Sequence, residues 1–127
     1  MDDTLIGCIK QSQSERGNSM NLQQYQDLAI RTKNKDLAYR EQVSNLSMGL
    51  SGECGEVVDY LKKCLYQGHH LEVSVVEKEL GDAIWYIAVL ADTIGLDLAD
   101  IAEKNIDKLK MRYPEGFSEA KSVNRSE

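Results

Sequence analysis

The sequence has a single proline, and none of its apolar runs approaches the roughly 20 residues that a membrane-spanning helix needs. Its N-terminus also lacks the basic-then-apolar order of a signal peptide. These absences lead us to expect a soluble, cytoplasmic protein with no membrane partner. Because proline breaks helices while the abundant Leu, Ala, Glu and Lys favour them, the composition predicts an all-α fold.

Paired cysteines and an excess of positive charge are also missing. Cys8, Cys54 and Cys64 are odd in number and form no CxxC motif, so we interpret them as small core residues, not as disulfides or zinc ligands. The net charge of −6 argues against a nucleic-acid partner, because binding nucleic acid requires a basic stripe that offsets phosphate repulsion. An acidic protein that handles phosphates would need metal ions as intermediaries.

The length of 127 residues allows one domain. We expect a polar N-terminal tail over 1–19, a helical domain over 20–118 and a polar C-terminal tail over 119–127. Four helices are predicted in the domain, and short connections between them imply an antiparallel four-helix bundle. The predicted helices run from the N-cap Asn21 to about Asn34, from about Glu41 to Tyr66, from about Val73 to Ile94, and from the N-cap Asp97 to just before Pro114.

Apolar residues recur three and four positions apart in each predicted helix, which predicts the core-facing stripes. The stripes consist of Leu22, Tyr25, Leu28, Ala29; Val43, Leu46, Leu50, Cys54, Val57, Leu61, Cys64; Val76, Leu80, Ala83, Ile87, Leu90, Ile94; and Leu98, Ile101, Ala102, Ile106, Leu109. The second and third stripes are longer than a four-helix monomer of this size needs to bury. We therefore expect a homodimer or a homotetramer.

A short acidic motif occurs twice, as ECGE at 53–56 and as ELGD at 79–82. Residues three apart share a helix face, so each motif presents two carboxylates together. Because the turn between the two helices is centred near Gly68, an antiparallel hairpin would bring both motifs to the same height. Uncompensated carboxylates at the border of an apolar stripe are costly, so we expect metal ions between them.

A simpler interpretation is that these acidic residues lie on solvated helix faces and form surface ion pairs. Asp59, with Lys62 and Lys63 three and four residues later, has the spacing of such pairs. Two acidic motifs level with each other across a hairpin favour the metal site over this alternative.

Together with the segments DAIWYIAVLADTIGL and KNIDKLKMRYPEGFS, the two motifs resemble the MazG-like nucleotide pyrophosphohydrolases of the all-α NTP pyrophosphatase superfamily. The resemblance covers about 20–118. It implies a magnesium-dependent enzyme, with Mn²⁺ as a possible substitute, that cleaves a nucleoside triphosphate to the monophosphate and pyrophosphate. It also implies a dimeric or tetrameric assembly.

The resemblance assigns roles to individual residues. The carboxylates that match the family's metal ligands are Glu53, Glu56, Glu79 and Asp82. The residues that match its phosphate-contacting segment are Asn105, Lys108 and Arg112. Tyr86 matches an aromatic position that contacts the nucleotide in some members. Where some members have a lysine one turn before the second acidic motif, this chain has Val75, which leaves a phosphate-binding role there unassigned.

For the mechanism, we expect Glu56 to orient or deprotonate the water that attacks the α phosphorus, and Lys108 or Arg112 to stabilise the leaving pyrophosphate. Lys108 and Arg112 could instead be solvated residues whose charges interact favourably with the helix dipole near its C-terminal end. A phosphoribosyl-ATP pyrophosphatase and a non-catalytic helical interaction module stay open as alternatives. The base, the sugar and the choice between a normal and a damaged nucleotide are also open.

Overall fold

The computed structural model describes residues 19–124, and all regular secondary structure within that range is helical. The all-α prediction is therefore confirmed. No helix in this range is long and apolar enough to cross a membrane. In chain order the elements are α1 (Leu22–Ala29), a 3₁₀ turn (Ile30–Thr32), α2 (Tyr39–Tyr66), α3 (Val73–Thr93), α4 (Leu98–Arg112) and α5 (Glu119–Val123).

The predicted N-cap of α1 is confirmed. Asn21 Oδ1 accepts a hydrogen bond from the backbone N–H of Gln24 at 2.8 Å, and Gln24 Oε1 accepts one from the backbone N–H of Asn21 at 2.9 Å. This reciprocal pair satisfies two N–H groups that the first helical turn would otherwise leave free. The helix ends earlier than the predicted Asn34, because the chain tightens into the 3₁₀ turn after Ala29.

Helices α2 and α3 form the main hairpin of the bundle and pack along much of their length. The turn between them passes through Gly68, whose φ of +73° favours glycine. The Tyr60 hydroxyl accepts a hydrogen bond from the backbone N–H of Glu72 at 2.9 Å and donates one to His70 O at 3.3 Å. Tyr60 thus ties the end of the turn back onto α2 and stabilises the antiparallel register.

The core lies where α1, α2, α3 and α4 meet. Its buried members are Ala29, Leu46, Ala88, Val89 and Leu98, and Tyr25, Trp85, Tyr86 and Leu90 pack against them. Small residues dominate the interior of α3, which lets the neighbouring helices approach closely. Helix α4 packs against α1 and α3 at the edge of this core.

Gln26 is the most deeply buried polar side chain among the described residues, with 2% of its surface exposed. Its amide Nε2 donates to Ala88 O at 3.1 Å and to Leu96 O at 3.0 Å, while Oε1 accepts from the backbone N–H of Leu98 at 3.0 Å. Asp97 occupies the predicted N-cap position of α4 but makes no capping side-chain hydrogen bond. Gln26 of α1 instead satisfies the free N–H of Leu98, the first residue of α4.

Several residues predicted for the core are exposed, so that part of the prediction is wrong for the single chain. They are Leu22, Leu28, Cys54, Leu80, Ile87, Ile94, Ile101, Ile106 and Leu109. The apolar stripes are wider than the faces that one hairpin and two flanking helices can cover. Cys64 is half-buried, and Cys8 lies outside the described residues. The segment expected to be a C-terminal tail contains the short helix α5, capped by Ser118.

Candidate metal centre

Three carboxylates from the two acidic motifs converge on one place between α2 and α3. One oxygen of each of Glu53, Glu56 and Glu79 lies within 4.8 Å of the others. Glu53 and Glu79 are half-buried, and Glu56 is exposed. Since α2 and α3 run antiparallel, both carboxylates of the first motif meet Glu79 of the second motif. The cluster opens onto a shallow depression of about 370 Å³, which Gly52 and Gly55 also line.

The pKa values of these carboxylates show the cost of holding them together. Burial raises the pKa of Glu79, and a hydrogen bond and charge repulsion from Glu56 raise it further. Burial also raises the pKa of Glu53, with added repulsion from Glu56 and Asp82. Burial and repulsion between the carboxylates both disfavour the ionised forms. A cation placed among the three oxygens would stabilise these ionised forms.

Asp82 is the predicted metal ligand that does not join this group of three. Its carboxylate is nonetheless close enough to Glu53 to raise the pKa of that residue. It also adds to the effect of burial in raising the pKa of the Tyr25 hydroxyl on α1. Asp82 therefore lies at the edge of the cluster, between Glu53 and α1.

Lys78 is a cation whose charge acts on the cluster and that was not predicted from the sequence. Its charge lowers the pKa of both Glu53 and Glu79, against the larger effects that raise them. Within the described range, however, Lys78 forms no ion pair with these carboxylates. A signal was available, because Lys78 stands four residues before Asp82 and therefore shares its helix face. One lysine does not balance four carboxylates.

The ion-pair alternative applies to another carboxylate on the same helix. Asp59 is paired with Lys62 at 2.5 Å and with Lys63 at 2.6 Å. These hydrogen bonds lower the pKa of Asp59 to about 2. Lys62 and Lys63 thus neutralise Asp59, one turn away from the cluster, instead of the cluster itself.

The predicted phosphate-contacting residues lie on α4. Asn105 and Lys108 are exposed, and Arg112 is half-buried in the last turn of the helix. In the part of the chain that is described, none of the three makes a side-chain hydrogen bond or an ion pair. Their side chains are therefore available to a ligand, but the single chain does not bring them into contact with the carboxylates.

Tyr86 is held in a fixed position one helical turn after Asp82. Its ring makes an edge contact with Trp85, with ring centroids 4.9 Å apart. The indole Nε1 of Trp85 in turn donates hydrogen bonds to Thr32 Oγ1 at 2.8 Å and to Ala29 O at 3.2 Å. Both aromatic rings line a small cavity of about 130 Å³.

The same cavity is lined by three residues that carry side-chain amides, Asn34, Gln42 and Asn45. Amides can both donate and accept hydrogen bonds, so this cavity combines polar recognition groups with aromatic surface. The amides were missed at the level of sequence because two of them lie in α2 and one in the preceding loop. No short motif links them.

Residues 41–117 match the family of the MazG nucleotide pyrophosphohydrolase domain. Over 103 residues the chain is 32% identical to the Gene 37 protein of Mycobacterium phage L5, an alignment that covers 78% of this chain and 90% of that relative. No solved structure matches the chain. The family match includes both acidic motifs, Tyr86 and the basic residues of α4, and so spans every candidate residue named from the sequence.

Proposed function

Since this chain belongs to the family of MazG nucleotide pyrophosphohydrolase domains, we propose that it hydrolyses nucleoside triphosphates to the monophosphate and pyrophosphate in a magnesium-dependent reaction. The observation that carries this proposal is the convergence of Glu53, Glu56 and Glu79 within 4.8 Å. Their uncompensated charge would be stabilised by divalent cations that also bind the phosphates of the substrate.

The donor set fits magnesium. Mg²⁺ prefers oxygen ligands at about 2.1 Å and is commonly bound through carboxylates together with substrate phosphates. Three carboxylate oxygens within 4.8 Å of one another can reach a common ion, with Asp82 close by as a fourth ligand. Mn²⁺, which also accepts such ligands, is expected to substitute. When bound, the metal would supply charge neutralisation and would lower the pKa of a water molecule.

Individual side chains would activate the water, bind the phosphates and contact the nucleoside. Glu56 is the exposed member of the cluster, so it is placed to orient or deprotonate the attacking water. Asn105, Lys108 and Arg112 would bind the phosphates, and Lys108 or Arg112 would stabilise the departing pyrophosphate. Tyr86 would contact the nucleoside.

We propose further that the protein acts as a homodimer or homotetramer. Helix α4 supports this because Ile106, Leu109 and Met111 are all exposed in the single chain, Met111 by 85%. Apolar side chains on α2 and α3 are exposed as well. Association would remove this surface from water, which is the usual driving force of homo-oligomer formation. Light scattering at micromolar concentration should give a particle larger than the 14.3 kDa monomer, and a 14.3 kDa particle would contradict the proposal.

The test of the proposed activity is a panel of ribo-, deoxy- and modified nucleoside triphosphates, together with phosphoribosyl-ATP, incubated with and without magnesium. We expect monophosphate and pyrophosphate in equal amounts, and only when the metal is present. Turnover of phosphoribosyl-ATP alone would identify that substrate instead. Failure to bind magnesium or any of these nucleotides would identify a non-catalytic helical module.

A further inference from the structure

Gly49 of α2 lies directly against the ring of Tyr86 on α3. A Cβ atom at position 49 would overlap this ring, since even the third-nearest ring atom, Cδ1, would be only 2.7 Å away. The other glycines inside α2 and α3 differ, because a Cβ at Gly52, Gly55 or Gly81 would meet nothing within 4 Å. Gly49 is therefore the helical glycine of this hairpin at which a side chain is sterically excluded.

The contact belongs to the same antiparallel register as the carboxylates. Glu56 lies close to Glu79 in the cluster, and one turn away Glu53 is close to Asp82. One further turn along both helices brings Gly49 against Tyr86. The ring therefore occupies the next level of the hairpin after the metal cluster, at the point where the amide-lined cavity begins.

The ring has little freedom to move away from α2. Its edge contact with Trp85 supports it, and Trp85 is itself anchored by two hydrogen bonds to the end of α1 and the 3₁₀ turn. A side chain at position 49 would have to displace the Tyr86 ring, and with it the wall of the cavity. Because the ring atoms nearest to position 49 include the hydroxyl-bearing carbon, displacement would also move the polar end of the side chain.

We propose that Gly49 is a positioning residue for Tyr86, and that the absence of a side chain at position 49 fixes how the nucleoside part of the substrate is held next to the metal cluster. This inference rests on the proposed function, in which Tyr86 contacts the nucleotide. Gly49 itself touches neither the metal nor the phosphates. Its substitution should therefore impair nucleoside binding more than the chemical step.

A double-mutant cycle on stability tests the contact without any substrate. In the natural background, Gly49→Ala should lower Tm by several degrees, because the Cβ forces the ring out of a packed position. In the Tyr86→Ala background the same change should raise Tm by about 4 °C, since alanine is a better helix former than glycine. Gly52→Ala, on the same helix but in open space, should raise Tm in both backgrounds. Equal effects of Gly49→Ala in the two backgrounds would overturn the proposal.

The fluorescence of Trp85 provides a second readout, because Trp85 is the sole tryptophan of the chain and contacts Tyr86. Gly49→Ala should shift its emission, whereas Gly52→Ala should leave the spectrum unchanged. If Gly49→Ala does not fold alone, the Tyr86→Ala change should restore folding. A misfolded double variant, or an emission spectrum that Gly49→Ala leaves unchanged, would count against the proposal.

Steady-state kinetics then test the consequence for the substrate. Gly49→Ala should raise KM for the preferred nucleoside triphosphate by about 10-fold while kcat changes far less. This pattern is expected when the lost interaction is equally strong in the ground state and the transition state. An unchanged KM would overturn the positioning role even if the steric contact is real. Absence of turnover by the natural protein on every nucleotide would instead overturn the proposed function, and the stability cycle would still decide the contact.

Discussion

Glu53 and Asp59 lie within two turns of each other on α2, and their surroundings shift their carboxylate pKa values in opposite directions. Around Asp59, two lysines donate hydrogen bonds and lower its pKa to about 2. Around Glu53, burial and neighbouring carboxylates raise the pKa, and Lys78 offsets this only in part. The difference has two causes: Asp59 is paired with two lysines of its own helix, whereas Glu53 is half-buried and lies close to Glu56 and Asp82. Three converging carboxylates with too few cations distinguish a candidate metal site from an ordinary surface ion pair.

The largest expected effect comes from removing one charge from the cluster. Glu79→Gln or Glu53→Gln should abolish nucleotide turnover, because a neutral amide cannot replace a carboxylate as a ligand of a divalent cation. The matched control is Asp59→Asn, the same type of change one turn from the cluster. Either cluster variant retaining more than a tenth of the natural rate would contradict the metal assignment.

The second-largest effect on activity is expected at the basic C-terminal end of α4. If Arg112 binds the phosphates, Arg112→Ala should lower kcat/KM by at least about 100-fold, a loss of about 2.7 kcal/mol. Arg112→Lys should recover only part of this, since a lysine cannot form the two-pronged contact of a guanidinium. If Arg112 merely interacts with the helix dipole, kinetics should be unchanged and stability should fall by about 0.3 to 1 kcal/mol.

The two acidic groups should also respond oppositely to pH in the metal-free protein. Glu79 has a raised pKa when folded, so the folded state binds its proton more tightly than the unfolded state does. Its penalty is absent below the ordinary pKa of 4.5, grows as pH rises above that value, and is complete once the pH exceeds the raised pKa. Glu79→Gln should therefore raise the metal-free Tm at pH 7 and lose this advantage below pH 4.5. A lower Tm for Glu79→Gln at pH 7 would contradict the account.

The smallest effect is expected at Asp59. Because its folded pKa is lowered from 3.8 to about 2, its contribution to stability is present above pH 3.8 and is lost as pH falls through about 2. Asp59→Asn should lower Tm only slightly at pH 7, since exposed ion pairs contribute little to stability, and should not lower it at pH 2. Turnover should be retained. Thermal melts at the two pH values check this, and a large loss of turnover would extend the site to Asp59.

The parts of this structure that depend on local sequence could be predicted. The capping box of Asn21 and Gln24 involves residues three apart. That the two acidic motifs lie at the same height along the hairpin follows from helical periodicity and the turn at Gly68. The three bonds of Gln26 could not be predicted, because they join residues more than 60 positions apart. The contact of Gly49 with Tyr86 likewise depends on how two helices rotate against each other.

The apolar stripes were predicted less well, for a related reason. A stripe identifies the apolar face of a helix, but the partner that packs on it determines which of its residues are buried. Ala83 is covered by neighbouring helices, whereas Leu80 and Ile87 of the same stripe are exposed. The placement of Lys108 and Arg112 relative to the carboxylates depends on the position of α4, which no local pattern determines.

The most direct test of the central claim is a calorimetric titration of magnesium into the natural protein and into the variants Glu79→Gln and Asp59→Asn. We predict that the natural protein and Asp59→Asn bind Mg²⁺ with similar affinity and that Glu79→Gln loses measurable binding, because the charge repulsion that favours the cation exists in the cluster and not around Asp59. Equal binding by all three proteins, or loss of binding in Asp59→Asn alone, would contradict the account.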